Sequence, residues 1–190
     1  MGEWNGGTGA ASETTRLLVE QAKAGRPDAV DALYRGHVDR IYAYLAASVR
    51  NRQDAEDLTI QTFVRMIESL DRFESRATPF AAWLYRIARN LAVDHFRASA
   101  RARDRAARAG AYGNPAASAE EQALTVLEQQ GVRAQIASLP PQQREVLTLK
   151  FVCGLSNAEA AVVLAKSEGA VKALQRRALV TLQQRAAVVA

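Results

Sequence analysis

The chain has 190 residues, enough for one medium domain or two small ones, and its hydrophobic fraction of 48% is ordinary for a protein in water. One cysteine, Cys153, excludes an internal disulfide and cannot build a zinc site alone. No apolar stretch approaches the ~20 residues of a membrane span, and Met1–Ser12 lacks the basic end and apolar run of a signal peptide, so the expectation is a soluble, cytoplasmic protein without membrane insertion.

The net charge of +5 is unevenly spread. Between Glu13 and Glu74 there are 11 acids and 9 bases, whereas Lys166 to Arg185 holds five bases and one acid. Such asymmetry fits a basic surface for a polyanion and a more acidic surface for something else. A solvated basic helix is the plain alternative, and charge alone favours neither. Cys153 sits among Phe151, Val152 and Leu155, which fits a buried, inert thiol.

Residues 1–12 are Gly-rich and read as a disordered tail. From Thr14 to about Ser99 apolar residues recur at helical spacing. Val30, Leu33, Val38, Ile41, Leu45 and Val49 form one stripe; Leu58, Phe63, Ile67 and Leu70 a second; Phe80, Trp83, Leu84, Ile87, Ala88 and Leu91 a third. Two breaks divide them. At Asn51–Asp54 the Asp54 carboxylate is the predicted cap of the next helix. At Ser75–Pro79, Thr78 is the predicted cap and Pro79 suits the first helical position. Residues 100–119 begin with crowded arginines and end in Gly and Pro, the composition of a linker. The basic part could extend the preceding helix.

The second domain spans 120–190. Predicted helices run from Glu120 to Ser138, from Pro141 to about Val152 with Gly154 as the stop, and from Asn157 to Leu164 behind the capping-box sequence Ser156–Glu159. After the break Ala165–Ser167, a basic helix runs from Glu168 to about Arg185. The fold class is therefore all-α, as two small helical domains joined by a flexible linker.

Three patterns carry functional candidates. The short helix, tight turn and longer basic helix match helix–turn–helix geometry, in which the start of the second helix faces base edges. That nominates Ser167, Glu168, Gly169, Lys172, Arg176 and Arg177, with an ordinary helical hairpin as the alternative. The Phe80–Asn90 helix mixes Trp83 and Tyr85 with Arg86, Arg89, Asn90 and Arg97, and stacking rings with cations suit single-stranded nucleic acid. The same rings could simply be core. The acids Asp54, Glu56 and Asp57, with Gln61, sit at a helix start. No cofactor or metal is expected there, since neither His37 nor His95 is near in sequence; a docking surface for a basic partner, or a solvated helix start, remains.

Asp54-Ala55-Glu56-Asp57-Leu58 with Gln61-Thr62-Phe63 closely resembles a segment of the extracytoplasmic-function (ECF) sigma factors of bacterial RNA polymerase. Phe80 to Asn90, Leu139 to Leu147, Gly154-Leu155-Ser156 and Ser167 to Lys172 resemble further segments of that family, in its order. The resemblance implies that residues 13–99 are region two. Asp54, Glu56, Asp57, Gln61 and Phe63 would dock on the clamp helices of the largest subunit of core RNA polymerase. The loop Leu70–Pro79 and the helix after it, through Arg72, Phe73, Arg76, Trp83, Tyr85, Arg86, Arg89, Asn90 and Arg97, would capture and melt the minus-ten element. Residues 120–190 would be region four, reading the duplex minus-thirty-five element and docking on the polymerase flap, with no catalytic residues. An anti-sigma partner is implied as possible. Leu174 and Gln175 depart from the family, which usually has arginine and leucine there; a shifted set of contacts on that helix could follow.

A stand-alone helix–turn–helix regulator would explain residues 120–190 but not Asp54–Phe63 or Phe80–Asn90. A helical enzyme would need a nucleophile–base pair, a metal cluster or a phosphate loop, and the sequence offers none.

Overall fold

The computed structural model describes residues 8–49, 51–75, 78–108, 135–136 and 138–189. Within them the chain is helical: α1 (Thr8–Lys23), α2 (Pro27–Ser48), α3 (Arg52–Ser69), a 3-10 turn (Leu70–Arg72), α4 (Phe80–Arg108), α5 (Pro141–Leu147), a π turn (Thr148–Val152), α6 (Asn157–Leu164) and α7 (Glu168–Val189).

The first four helices form one domain. Helix α1 starts at Thr8, inside the stretch read as a tail; Ala10 and Ala11 favour helix, and Glu13 pairs with Arg16 one turn on. Gly25, at φ +78°, ends this segment, and Pro27 opens α2. The inner face of α2 carries Ala29, Leu33, Ile41, Tyr44 and Leu45, with the predicted Val30 and Val38 only partly buried at its edge.

Helix α3 corrects two expectations. Its cap is Asn51, whose side chain accepts the Gln53 N–H at 2.9 Å, and Asp54 lies inside the first turn. Its buried face is Ala55, Leu58, Thr59, Thr62, Phe63 and Met66. The two threonines are tolerated there because each hydroxyl donates to a carbonyl one turn back, Thr59 to Ala55 and Thr62 to Leu58, both at 2.7 Å. Ile67, assigned to this stripe from spacing, is 55% exposed. The helical period from Leu58 and Thr62 runs through Met66, so Ile67 falls on the opposite stripe with Ile60 and Val64.

Helix α4 is long because no Gly or Pro interrupts residues 80–108. It runs past the expected linker start at residue 100. Phe80, Ala82, Trp83, Leu84, Tyr85, Ala88 and Ala92 are buried; beyond Phe96 the helix leaves the core and is almost wholly exposed.

In the second domain α6 follows its capping box atom for atom. Ser156 Oγ accepts the Glu159 N–H at 3.1 Å, and Glu159 Oε2 accepts the Ser156 N–H at 2.8 Å. Ala165 ends α6 at φ +51°, and the Ser167 hydroxyl accepts the Ala170 N–H at 3.2 Å to start α7. The expected helix over 120–138 lies outside the described residues except for 135–136 and 138. Leu139, Leu147 and Ala178 form a small cluster with Leu182 at its edge, whereas Val146, Leu149, Cys153, Leu155, Val163 and Val171 join the buried core of the first domain without a gap.

Candidate functional site

Three faces hold the candidate residues. The first is the outer side of α3. Glu56, Asp57 and Gln61 are exposed there, with Glu56 tied to Arg52 at 2.8 Å. Asp54 faces His95 of α4 at 3.3 Å, so a histidine distant in sequence is its neighbour in space. Phe63 is buried, edge-on to Tyr34 with ring centres 4.8 Å apart. It can hold the helix in place but offers a partner no surface. The apolar residues that do face outward are Ile60 at 63% exposure, Val64 and Ile67. Sequence reasoning missed this stripe as a surface, although its i, i+4, i+7 spacing was the available signal. Three branched apolar side chains fringed by acids form a patch that water covers poorly and a partner helix can cover.

The second face is the loop after α3 and the helix it leads into. Phe73, Phe80 and Trp83 pack as an aromatic cluster, with Phe73 and Trp83 centroids 4.7 Å apart and Phe80 5.6 Å from Trp83. His37 abuts Phe80 at 5.2 Å, and its pKa is lowered by burial, which favours the neutral ring. Lys23 donates to the Phe73 carbonyl at 2.5 Å and ties the loop to α1. Phe73, Trp83 and Tyr85 are each under 10% exposed, so in this conformation none can stack on a base; they shape the loop instead. Arg72, Arg86, Asn90 and Arg97 are exposed and Arg89 is partly buried. Arg76 lies outside the described residues.

Arg89 is engaged elsewhere. Its Nε donates to Glu145 of α5 at 2.7 Å, and the Tyr44 hydroxyl from α2 donates to the same carboxylate at 3.5 Å. Nothing local in the sequence signals this contact, because the partners are 56 and 101 residues apart.

The third face is the outer side of α7. Val171, Leu174 and Ala178 point inward, while Glu168, Gly169, Lys172, Ala173, Arg176 and Arg177 are exposed. Ser167 is exposed as well, but its hydroxyl serves as the helix cap. Leu174 is therefore a core residue, and Gln175 beside it is partly buried. Lys172 lies 3.9 Å from Glu168, an exposed pair of little strength. A shallow groove lined by Gln143, Ala173, Arg176, Arg177, Val180 and Thr181 runs beside this face. The whole is a helix–turn–helix with a bare, cationic second helix.

Comparison with known proteins decides the family. Residues 33–102 match the model of sigma-70 region 2, and residues 129–182 match that of sigma-70 region 4. The ECF RNA polymerase sigma factor BldN of Streptomyces coelicolor is 40% identical over 176 residues, spanning 91% of this chain and 67% of that protein. This chain belongs to the ECF sigma factors of the sigma-70 family.

SigC of Mycobacterium tuberculosis is 31% identical over 171 residues, 90% of either chain. Among solved structures, CnrH in complex with the cytosolic domain of CnrY superposes with a TM-score of 0.69 at 28% identity, covering 93% of this sigma factor and 99% of that chain. The sigma factor RpoE of Bartonella quintana, in complex with the anti-sigma factor NepR, gives 0.61 at 25% identity, covering 81% and 94%. The sigma factor accordingly directs transcription initiation and is not an enzyme. Among the described residues no helix is long and apolar enough to cross a membrane.

Proposed function

We propose that this sigma factor divides its work among the three faces. The outer stripe of α3, Ile60, Val64 and Ile67 with Glu56, Asp57 and Gln61, docks on the clamp helices of the polymerase's largest subunit. The loop after α3 and the exposed residues Arg72, Arg86, Arg89, Asn90 and Arg97 hold the melted minus-ten strand, with Phe73 and Trp83 shaping the loop. Unpairing costs a few kcal/mol, which contacts to the freed strand offset. The outer face of α7 reads the minus-thirty-five duplex: Arg176 and Arg177 suit phosphates, and Lys172 and Glu168 lie where base edges pass. The protein works in the cytoplasm, on the nucleoid. An anti-sigma partner is proposed by analogy with NepR, which binds the RpoE relative.

One observation carries the reading: the same chain presents an apolar, acid-fringed stripe that duplex DNA would not cover and a cationic recognition helix. A stand-alone regulator needs only the second. The test is retention on core polymerase together with run-off transcription from a cognate promoter. Asp57→Arg and Val64→Asp are expected to lower retention by about tenfold or more, the scale of a disrupted interface anchor. Lys172→Ala and Arg176→Ala should leave retention intact and reduce the transcript. Retention indifferent to both α3 substitutions would reject the docking face.

A further inference from the structure

We propose that Lys23, in the last turn of α1, is a positioning residue for promoter melting: its ammonium holds the Phe73 carbonyl and so sets the loop that captures a base of the minus-ten strand. This rests on the assignment of that loop to the minus-ten strand.

Lys23 Nζ donates to the Phe73 carbonyl at 2.5 Å across 50 positions of sequence. A cation in the last turn of a helix ordinarily serves that helix's own carbonyls; here the side chain reaches over to the loop. Val19 and Ala22, both buried, seat α1 just before Lys23, so a packed helix delivers the ammonium. Phe73 is thereby held through its backbone and its ring together. Its N–H donates to the Leu70 carbonyl at 3.0 Å, and its ring packs on Trp83 at 4.7 Å and Phe80 at 5.7 Å.

The chain after Phe73 has less to hold it. Glu74 and Pro79 are exposed, Ser75 and Thr78 are half-buried, and among the described residues the next buried one is Phe80. The path of the loop is therefore set at its two ends. At the far end the Trp83 N–H donates to the Pro79 carbonyl at 3.1 Å, and Phe80 packs against His37 at 5.2 Å and Trp83 at 5.6 Å. The near end leaves from the Phe73 carbonyl that Lys23 holds. Without that charged donor the peptide is free to turn, and a part-buried carbonyl loses its partner. A loop that spends about a tenth of its time in the capturing shape binds its base about tenfold more weakly. The proposal gives α1 a role of its own: the region 2 match begins at residue 33, beyond the end of α1 at Lys23. The contact lies within the first domain and involves no residue of the seam, where Glu145 of the second domain meets Arg89 and Tyr44.

The test uses holoenzyme reconstituted from the full chain and core polymerase. Its ligand is a single-stranded oligonucleotide carrying the minus-ten element of a cognate promoter, intact or with one base at a time replaced by an abasic site. Lys23→Met keeps the apolar stem and removes the donor, and it should weaken strand binding about tenfold. Lys23→Arg keeps a charged donor and should recover most of that loss. Retention on core polymerase should be native in both variants. A double-mutant cycle then separates positioning from general damage. At the captured base, the abasic site and Lys23→Met disable one contact, so together they should cost little more than either alone; at the other positions their effects should multiply. Native strand binding by Lys23→Met, effects that multiply at every position, equal losses in Lys23→Met and Lys23→Arg, or a matching fall in core retention would overturn the proposal. If the native holoenzyme binds every abasic oligonucleotide as well as the intact one, the assignment of the loop to the strand is itself defeated, and the role of Lys23 with it.

Discussion

In the first domain, α1 to α4 supply Val19, Leu33, Ile41, Leu45, Met66 and Leu84, all nearly inaccessible to water. In the second, among the described residues, Leu139, Leu147 and Ala178, with Leu182 beside them, form a cluster of their own. Val146, Leu149, Cys153, Leu155 and Val163 instead continue the core of the first. A domain of about seventy residues buries a smaller fraction of its surface than a larger one and gains less from a core of its own. The first domain is therefore built as a rigid platform, and the second is stable to the extent that it leans on it.

The largest expected effects break that comparison directly. Leu84→Ala removes a fully buried side chain of α4 and should cost about 3 kcal/mol, within the range of leucine truncations. With Trp4 replaced by phenylalanine, Trp83 of the first domain is the remaining tryptophan, so tryptophan fluorescence reports the first domain and far-ultraviolet ellipticity reports both. In urea, Leu84→Ala should move the two transitions together, since loss of the platform removes the seam. Leu147→Ala, in the small cluster, should shift part of the ellipticity to lower urea and leave the fluorescence midpoint near native. Coincident shifts in Leu147→Ala would mean that the domains fold as one unit.

Much of this was legible in sequence because it is local. The capping box at Ser156 and Glu159, the stop at Gly154 and the tight turn Ala165–Ser167 each depend on residues within one turn of each other, and the predicted bounds of α6 hold to the residue. The apolar stripes of α2 and α4 came through for the same reason. What failed was the choice between adjacent stripes on α3: Phe63 and Ile67 are both apolar and four apart, yet one is 5% and the other 55% exposed. Only packing against α2 and α4 separates them. Trp83 and Tyr85 had two readings, and both side chains are buried in this structure. The contact of Glu145 with Arg89 and Tyr44 was invisible, since no periodicity links residues 56 and 101 positions apart.

A smaller effect sharpens the comparison at the seam. Burial pushes the Cys153 thiol up from 9.0 to about 11, and burial likewise raises Tyr44 and Tyr85 above the ordinary phenol range. A raised folded-state value means that the folded protein keeps its proton after the unfolded chain has lost it. Stability from this source is complete below the unfolded value and is lost as pH rises toward the folded one. Between pH 9 and pH 11 the thiol can account for at most ~2–3 kcal/mol, at about 1.4 kcal/mol per pK unit. The urea midpoint measured by ellipticity should therefore decline from pH 9 upward, and Cys153→Ala should flatten the first part of that decline. Parallel curves for the two proteins would show that the thiol is not held in the protonated form by the seam.

The smallest expected effect on stability separates the recognition face from the fold that carries it. Gly169 is the second residue of α7, and a Cβ placed there would meet only the Ser167 hydroxyl, at 4.0 Å, an ordinary contact. Among the described residues nothing requires glycine at this position. Gly169→Ala should leave the fold intact and stabilise it by about 0.5 kcal/mol at most, through the lower entropy of the unfolded chain. If the α7 backbone approaches the minus-thirty-five duplex closely there, the added methyl group obstructs it. Transcription that depends on upstream duplex should then fall several-fold while retention on core polymerase stays native. A promoter indifferent to Gly169→Ala would move the close approach further along the helix, toward Lys172 and Arg176, where the exposed cations lie.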